Sequence, residues 1–331
     1  MPSVTVVIPV HDGASTLGRA AGAALEGLLP GDRIIAVDDR SSDGSRELLG
    51  SMGIETVPSA GGPGAACARN TGGRLAETAW ILFLDADAVP PAGWRGMLED
   101  RMDGADAVQA VYGPDAPGRG AATFYKNFYY HYTFTRRIRG PHIKGCGTFF
   151  FAVTRARFAE LGGFDENIRG ATIEDADFSE RLWALGGRIA IAPEIEVYHL
   201  REYDVPSLLA YEWRMMRAKA LYIMRRGRDR GAPSISVAGF GEMLPVLAGA
   251  VLPWLAAALA ALYAFGVGWG LYAALGSLAA LITVQIPFLA GIARAGGSRG
   301  FRAGFLLWPD LALIAPASLS AAAAALAGRR Y

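Results

Sequence analysis

Short apolar runs alternate with stretches of helical periodicity through the first 112 residues of the chain. Runs of apolar and β-branched residues predict buried strands, and segments with an apolar residue every three to four positions predict helices between them. The predicted strands are 4–10, 33–39, 54–59, 80–87 and 106–113, and the predicted helices are 14–29, 45–52, 65–78 and 91–102. This alternation is typical of an α/β fold with a mostly parallel sheet flanked by helices.

The pattern changes after this region, where Gly and Pro become frequent and an aromatic segment with a basic end, 121–140, follows. This segment is either a helix at a membrane interface or a helix packed on the sheet, and the sequence leaves both possibilities open. Further on, periodicity predicts a helix at 173–186 and a strand at 188–200. The α/β region therefore extends to about residue 204.

The C-terminal third of the chain is strongly apolar. A run of 51 residues, 243–293, contains no charged side chain. Since about 20 apolar residues span the hydrocarbon core of a bilayer, this run predicts a transmembrane hairpin with its turn at 265–270. A third apolar segment, 303–328, is interrupted by two prolines and one aspartate. It either crosses the membrane or re-enters it, so the region 243–328 is predicted to contain two or three spans.

A basic segment, 205–240, lies between these two regions. Within it, residues 207–230 contain seven Lys or Arg and two acidic residues, interleaved with Trp and Met. This composition predicts a juxtamembrane helix on anionic lipids, with a solvated basic helix as the alternative. The positive-inside bias places this helix and the arginines of a loop at 293–304 in the cytoplasm. We therefore expect a multi-pass protein of the cytoplasmic membrane whose α/β domain faces the cytoplasm.

Charge and cysteine content exclude several classes of protein. Only 19% of residues are charged and the formal net charge is +1. Because the apolar tail carries a net positive charge, the first 242 residues are slightly acidic, which argues against a nucleic-acid partner. With two cysteines and no apolar leader that has a basic start and a cleavage site, a secreted disulfide framework is not expected.

Acidic residues follow two of the predicted strands. Asp38 and Asp39 end one strand, and Asp85 and Asp87 follow the apolar run at 80–84. In α/β sheets, ligands bind beyond the carboxyl ends of the strands. Carboxylates spaced by one residue on an extended loop can face one cation, and oxygen ligands select magnesium or manganese. A solvated loop is the alternative reading of an isolated Asp-x-Asp.

Several segments together point to a known family. They are VTVVIPVHDGAS at the start, VDDRSSDGS at 37–45, ARNTG at 68–72, LDADAVPPAGW at 84–94, GCGTFFFAVTR at 145–155, GGFDE at 162–166 and IEDADFSERLWALGGRI at 173–189. In this order and spacing they resemble the inverting family 2 glycosyltransferases of GT-A fold, over about residues 3–200. The resemblance makes 1–112 the nucleotide-sugar-binding half of a GT-A domain and 113–204 its acceptor-side half.

The resemblance also implies roles for donor-side residues. Pro9 and Asp39 would hold the nucleotide base, and Arg69 would approach the base or the diphosphate. Asp85 would contact the ribose or the metal. A nucleotide sugar is thus the expected donor.

Metal binding and proton transfer are expected from a second group. The resemblance implies that Asp87 is the main ligand of a divalent cation, magnesium or manganese, and that His199 is a further metal or phosphate contact. A purely structural histidine is the equal alternative for His199. Asp175, in the motif Glu174-Asp175, resembles the catalytic base of the family. The alternative for these two carboxylates is a charged helix start that interacts favourably with the helix dipole.

These residue types suit one reaction. A divalent cation neutralises the leaving diphosphate and a carboxylate takes a proton from the incoming hydroxyl, so a single displacement inverts the anomeric carbon. The processive motif Gln-x-x-Arg-Trp is absent, which predicts transfer of one sugar. The acceptor is expected to be a hydroxyl of a lipid, a lipid-linked molecule or a saccharide. A polyprenyl-phosphate acceptor is the alternative, and a nucleotidyltransferase, a dinucleotide oxidoreductase and a non-catalytic membrane scaffold are less favoured.

Overall fold

A computed structural model describes residues 2–115, 118, 120–137, 141–168, 172–229 and 240–327. The chain divides into two compact units. The first consists mainly of Met1–Ala116 and Thr133–Arg201, and the second mainly of Pro117–Tyr132, Glu202–Pro233 and Ala238–Tyr331. Three predicted segments extend beyond the described residues: the aromatic segment at 138–140, the basic segment at 230–239 and the apolar region at 328.

The first unit is built on a sheet. Its strands in the described part of the chain are β1 Val4–Val10, β2 Arg33–Asp38, β3 Glu55–Pro58, β4 Trp80–Leu84, β5 Ala88–Val89, β6 Ala107–Tyr112, β7 His142–Ile143, β8 Phe150–Thr154 and β9 Ile189–His199. All the strands predicted from the alternating pattern are present. The one predicted at 80–87 ends at Leu84, so Asp85 and Asp87 lie beyond it.

The sheet is mixed, with the order β3-β2-β1-β4-β8-β6-β9-β5 and with β7 paired to β9. The first four strands in this order are parallel. Strand β8 runs antiparallel to both β4 and β6, and β9 is parallel to β6. As a result, the carboxyl ends of β1, β2, β4, β6 and β9 and the start of β8 share one edge, which carries the predicted site residues.

Helices flank this sheet. In the described part of the first unit they are α1 Ala14–Gly27, α2 Ser45–Ser51, α3 Ala65–Leu75, α4 Trp94–Glu99, α6 Arg155–Glu160 and α7 Glu174–Ala184. Helix α3 approaches β1 very closely at Gly72, where a Cβ atom would lie 2.3 Å from Cγ1 of Val7. Only glycine fits this contact. Arg69, three residues earlier, lies on the same buried face of α3.

The second unit is helical in its described residues. Its helices are α5 Ala121–Tyr132, α8 Val205–Asp229, α9 Phe240–Ala264, α10 Gly270–Gly304, α11 Leu307–Ala312 and α12 Ile314–Leu326. Three segments are long and apolar enough to cross a membrane: Leu244–Ala264, Gly270–Gly304 and Leu307–Leu326. The first two pack along each other. The predicted helical hairpin and third apolar segment are therefore present.

Two details of this unit differ from, or go beyond, the sequence prediction. The loop predicted at 293–304 lies within the range of α10, which consists here of two helices joined by a kink at Gly297, whose φ is 54°. Residues 121–132 of the aromatic segment form α5, which packs against α10 and α8 of its own unit, and Thr133–Arg137 form a π-helix. Phe124 fills the space beside Gly296, where a Cβ atom would lie 2.4 Å from the ring.

Candidate active site

The predicted site residues of the first unit gather at the shared edge of the sheet. Asp39 follows β2, Asp85 and Asp87 follow β4, and His199 ends β9. Strand β5 brings Asp87 and His199 together. Ala88 of β5 pairs with His199, and the Leu200 N–H donates to the carbonyl of Asp87 at 2.7 Å. The parallel arrangement of β1, β2 and β4 brings Asp39 to the same edge as Asp85 and Asp87, and the antiparallel pair of β5 and β9 adds His199.

Asp39 is buried and holds a neighbouring loop. Its Oδ2 accepts a hydrogen bond of 2.6 Å from the N–H of Gly64, and its Oδ1 accepts one of 2.6 Å from Arg40. Gly64 has φ 125°, which disfavours any other residue. Pro9 lies in β1 opposite Val37 of β2, next to this turn. The two residues predicted to hold the base are thus neighbours, and base recognition itself stays a prediction.

Arg69 connects two carboxylates that are far apart in sequence. Its Nη2 donates to Oδ1 of Asp85 at 2.8 Å, and its Nη1 donates to Oε1 of Glu174 at 2.9 Å. The side chain is only 3% exposed. Burial would lower the pKa of Arg69, but the two carboxylates raise it, so the guanidinium stays charged. In the structure Arg69 bridges Asp85 and Glu174. Its contact with the nucleotide stays a prediction.

The pKa values of Asp85 and Asp87 are shifted in opposite directions. Burial raises the pKa of Asp85; Arg69 opposes this shift and the nearby charge of Asp87 adds to it. Burial would also raise the pKa of Asp87, but contact with His199 and the charges of His199 and Arg201 lower it. Oδ2 of Asp87 lies 3.4 Å from Nε2 of His199. Asp87 is therefore the more strongly ionised of the two.

Asp87 and His199 fit a divalent cation by their donor atoms. A carboxylate oxygen and an imidazole nitrogen suit manganese, and a carboxylate oxygen with waters suits magnesium. Among the described residues no group of three or more His, Cys, Asp or Glu forms a complete metal cluster. A cation here would therefore take further ligands from phosphate oxygens and water. Nδ1 of His199 is buried without a hydrogen-bond partner in the described part of the chain.

The start of α7 places Glu174 and Asp175 in different environments. Glu174 is 3% exposed, and its Oε2 accepts a hydrogen bond of 2.7 Å from the N–H of Thr172. Asp175 is half-buried, and its Oδ1 accepts from the N–H of Ala176 at 2.7 Å. A Cβ atom at Gly147 would lie 3.9 Å from Oδ2 of Asp175. Asp175 is thus the more accessible carboxylate of the motif.

Sequence reasoning missed the residue that holds the loop facing Asp175. Gln109 is fully buried in β6, and its Oε1 accepts a hydrogen bond of 2.7 Å from the N–H of Gly147. Its Nε2 donates to the carbonyls of Ala110 and Phe150. A glutamine inside the apolar run of a predicted central strand was the available signal, since buried polar side chains need partners.

Cys146 lies beside the same carboxylate. Its thiol donates to the carbonyl of Asp175 at 3.4 Å. Burial, together with the charge of Asp175, raises the pKa of this thiol well above its ordinary value. A protonated thiol is a poor nucleophile, so Cys146 is not a candidate nucleophile.

Comparison with known families identifies the N-terminal half of the chain. The sequence model described as Glycosyl transferase family 2 matches residues 5–162. Residues 5–162 form a family 2 glycosyltransferase domain. This match ends before Glu174, Asp175 and His199, whose roles rest on the resemblance and on the geometry described above.

Two curated relatives of this glycosyltransferase domain illustrate the range of similar proteins. The pre-mycofactocin glycosyltransferase of Mycobacterium tuberculosis (strain ATCC 25618 / H37Rv) is 29% identical over 98% of this chain and 63% of its own length. This chain therefore spans less than two thirds of that relative. The succinoglycan biosynthesis protein ExoO of Rhizobium meliloti (strain 1021) is 29% identical over 69% of this chain and 70% of its own length.

Solved structures share the fold. The mannosyltransferase PcManGT from Pyrobaculum calidifontis, in complex with GDP-Man and Mn²⁺, aligns with a TM-score of 0.62 at 20% identity and covers 99% of this chain and 88% of its own. GalNAc-T7 with UDP, GalNAc and Mn²⁺ aligns with a TM-score of 0.51 at 17% identity, over 70% of this chain and 52% of its own. These likenesses confirm the GT-A fold of the glycosyltransferase domain.

Proposed function

We propose that the chain transfers one sugar, with inversion, from a nucleotide-sugar donor to a hydroxyl of a lipid, lipid-linked or saccharide acceptor at the cytoplasmic face of a membrane. The observation that carries this proposal is the bridge made by Arg69. It ties the loop of Asp85 to the start of α7, so the cation-binding carboxylates and the accessible Asp175 belong to one constellation. An inverting displacement needs one electrophile and one base in such proximity.

Each residue has a defined part in this reaction. Asp39 and Pro9 bind the nucleotide base, and Asp87 with His199 and Asp85 holds the divalent cation. The cation, when bound, supplies neutralising charge to the leaving diphosphate. Asp175 takes the proton of the acceptor hydroxyl, for which its half-buried position beside Gly147 is suited. Two of the structural neighbours contain Mn²⁺, which supports a divalent cation here.

The second unit supports a reaction at a membrane. Its three apolar segments are long enough to span a bilayer, and the cations Arg214, Lys219, Arg294 and Arg302 are exposed on the same unit. Exposed Lys and Arg beside apolar spans attract anionic lipid head groups. The layout of the chain therefore supports a membrane-bound acceptor, lipid or lipid-linked. The alternative is a polyprenyl phosphate, which shares the lipid tail but offers a phosphate oxygen.

A donor screen tests the proposed function. Purified full-length chain would be incubated with Mn²⁺ or Mg²⁺ and individual nucleotide sugars, and release of nucleoside diphosphate would be measured with and without a membrane-lipid extract. We expect cation-dependent hydrolysis of a specific donor and stimulation by the extract. Failure to hydrolyse any donor, under conditions in which the chain is folded, would refute the proposal.

A further inference from the structure

Arg69 directs both of its terminal nitrogens at carboxylates of the protein in this structure. Both terminal nitrogens are bound to carboxylates, and the guanidinium lies 5.8 Å from the ring centroid of Phe164. The Nε atom is buried without a hydrogen-bond partner among the described residues. A side chain that binds a base or a diphosphate has to direct its terminal nitrogens at the ligand, whereas those of Arg69 face Asp85 and Glu174.

Both carboxylate oxygens of Glu174 also accept hydrogen bonds from the protein. Oε1 accepts from Arg69 and Oε2 accepts from the N–H of Thr172. Both oxygens of this buried carboxylate are therefore engaged on opposite sides, by a cation from α3 and by the backbone that precedes α7. A proton acceptor for an external hydroxyl needs an oxygen that the hydroxyl can reach.

We propose that Arg69 and Glu174 are positioning residues that set the distance between Asp85 and Asp175. This inference rests on the proposed function and assigns neither residue to direct contact with the reactants. The guanidinium binds Asp85 and Glu174 through a rigid planar fork, and Glu174 is joined covalently to Asp175. The pair thereby holds the start of α7, and with it the proposed proton acceptor Asp175, against the loop that contains Asp85.

The fork geometry explains why arginine is used at this position. A lysine keeps the charge but has one nitrogen, which cannot hold two carboxylates in the arrangement that the two terminal nitrogens of arginine define. In Glu174→Gln the amide has one acceptor oxygen for two donors, so either the contact with Arg69 or the contact with Thr172 is lost. Each substitution should therefore loosen the same link.

A double-mutant cycle tests this link. The variants are Arg69→Lys, Glu174→Gln and the double variant, and kcat and donor KM are measured with the nucleotide sugar that the wild-type chain hydrolyses fastest in Mn²⁺. We expect kcat to fall on the order of 10²-fold in each single variant, because a misplacement of about 1 Å costs that much. Donor KM should change less than about threefold, and the double variant should be no slower than the slower single variant, as is typical of residues that act as a unit.

Arg74 provides the matched control, because it lies on the same helix and pairs with Glu166 at 3.4 Å in an exposed position. Arg74→Lys should leave both constants unchanged. If Arg69→Lys does not fold, Glu174→Gln with an unchanged melting temperature carries the test alone, and a lower kcat at constant donor KM is still required.

Three results would overturn the inference: a donor KM that rises tenfold or more in Arg69→Lys, additive losses in the double variant, or single variants with wild-type kcat. The first would make Arg69 a nucleotide ligand. A wild-type chain that hydrolyses no donor would instead refute the proposed function itself, so the two failures are distinguishable.

Discussion

At the residue scale, Asp85 and Asp87 differ in their contacts and in the direction of their pKa shifts. Asp85 is bound to Arg69 and has a raised pKa, whereas Asp87 faces His199 and has a lowered pKa. A carboxylate that stays ionised and lies next to an imidazole is the better cation ligand. We therefore assign the larger share of cation binding to Asp87.

Replacing Asp87 should abolish sugar transfer without unfolding the chain. Asp87→Ala removes the principal cation ligand, while its partly exposed side chain contributes little to packing, so stability should change by about 1 kcal/mol or less. Donor hydrolysis and the melting temperature would be measured, and excess chelator should reproduce the loss in the wild-type chain. Asp103→Ala, at an exposed position of the same unit, is the control. Full activity in excess chelator would contradict the cation assignment.

Asp175 separates the two classes of acceptor. Asp175→Asn keeps the size of the side chain but cannot take a proton, so kcat with a hydroxyl acceptor should fall by about 10² to 10⁴ while donor affinity is retained. A phosphate acceptor has a second pKa near 6, is largely deprotonated at neutral pH and needs no base. Turnover and product structure would be determined for both proteins. Near-native turnover that yields a glycosyl phosphate would replace the hydroxyl acceptor by a polyprenyl phosphate.

Part of this site could be predicted because its residues follow strands. Asp39, Asp85 and Asp87 come directly after apolar runs, and parallel strands bring such positions to one edge. The partner of Arg69 could not be predicted from any local pattern, since Glu174 is 105 residues away. Gln109 gave only a weak signal, because a single polar residue in a strand does not reveal what it binds.

At the element scale, periodicity predicted which segments are regular but not every pairing or boundary. Strand β8, Phe150–Thr154, runs antiparallel to both of its neighbours. Its mostly apolar residues do not indicate in which direction the strand runs. The sequence at 293–304 contains four glycines and suggested a loop, and the structure has two helices there, joined by a kink at Gly297. The kink falls at one of these glycines, in agreement with the weak helix propensity of glycine.

Helix α5 contains a buried ion pair that should matter for the stability of the second unit. Lys126 of α5 donates to Glu212 of α8, and its ammonium lies 4.4 Å from the ring centroids of Tyr130 and Tyr211. Burial would lower the pKa of Lys126, but Glu212 raises it, so Lys126 stays charged. Such a pair is sensitive to loss of one partner, because the other charge is then left buried.

Lys126→Met should therefore destabilise the second unit by about 3 to 5 kcal/mol. The double variant Lys126→Met/Glu212→Leu removes both charges and should recover most of this loss. Thermal unfolding of the detergent-solubilised chain would measure both, with the exposed Lys219→Met on α8 as the control. A melting temperature of Lys126→Met equal to that of the wild type, or a double variant less stable than either single variant, would contradict this account.

At the scale of the whole molecule, charge and aromatic residues distinguish the two ends of the apolar helices. The turn between α9 and α10 has no charge and exposes the aromatic residues Phe265 and Trp269. The other end of α10 carries Arg294, Arg299 and Arg302. Aromatic rings lie at membrane interfaces, and arginines concentrate on the cytoplasmic side. The arginine-rich end of α10 is thus expected in the cytoplasm and the turn on the opposite side.

Labelling of single cysteines in intact cells tests this orientation. Gly268→Cys and Ser298→Cys introduce thiols at two exposed positions, the first in the turn and the second after the break in α10. A membrane-impermeant maleimide should label position 268 from outside, and position 298 only after permeabilisation, because three arginines resist translocation across the bilayer. The unsubstituted chain, in which Cys67 is buried and Cys146 partly so, measures the background. Labelling of position 298 but not 268 in intact cells would reverse the topology and place the family 2 domain outside, where no cytoplasmic nucleotide sugar would reach it.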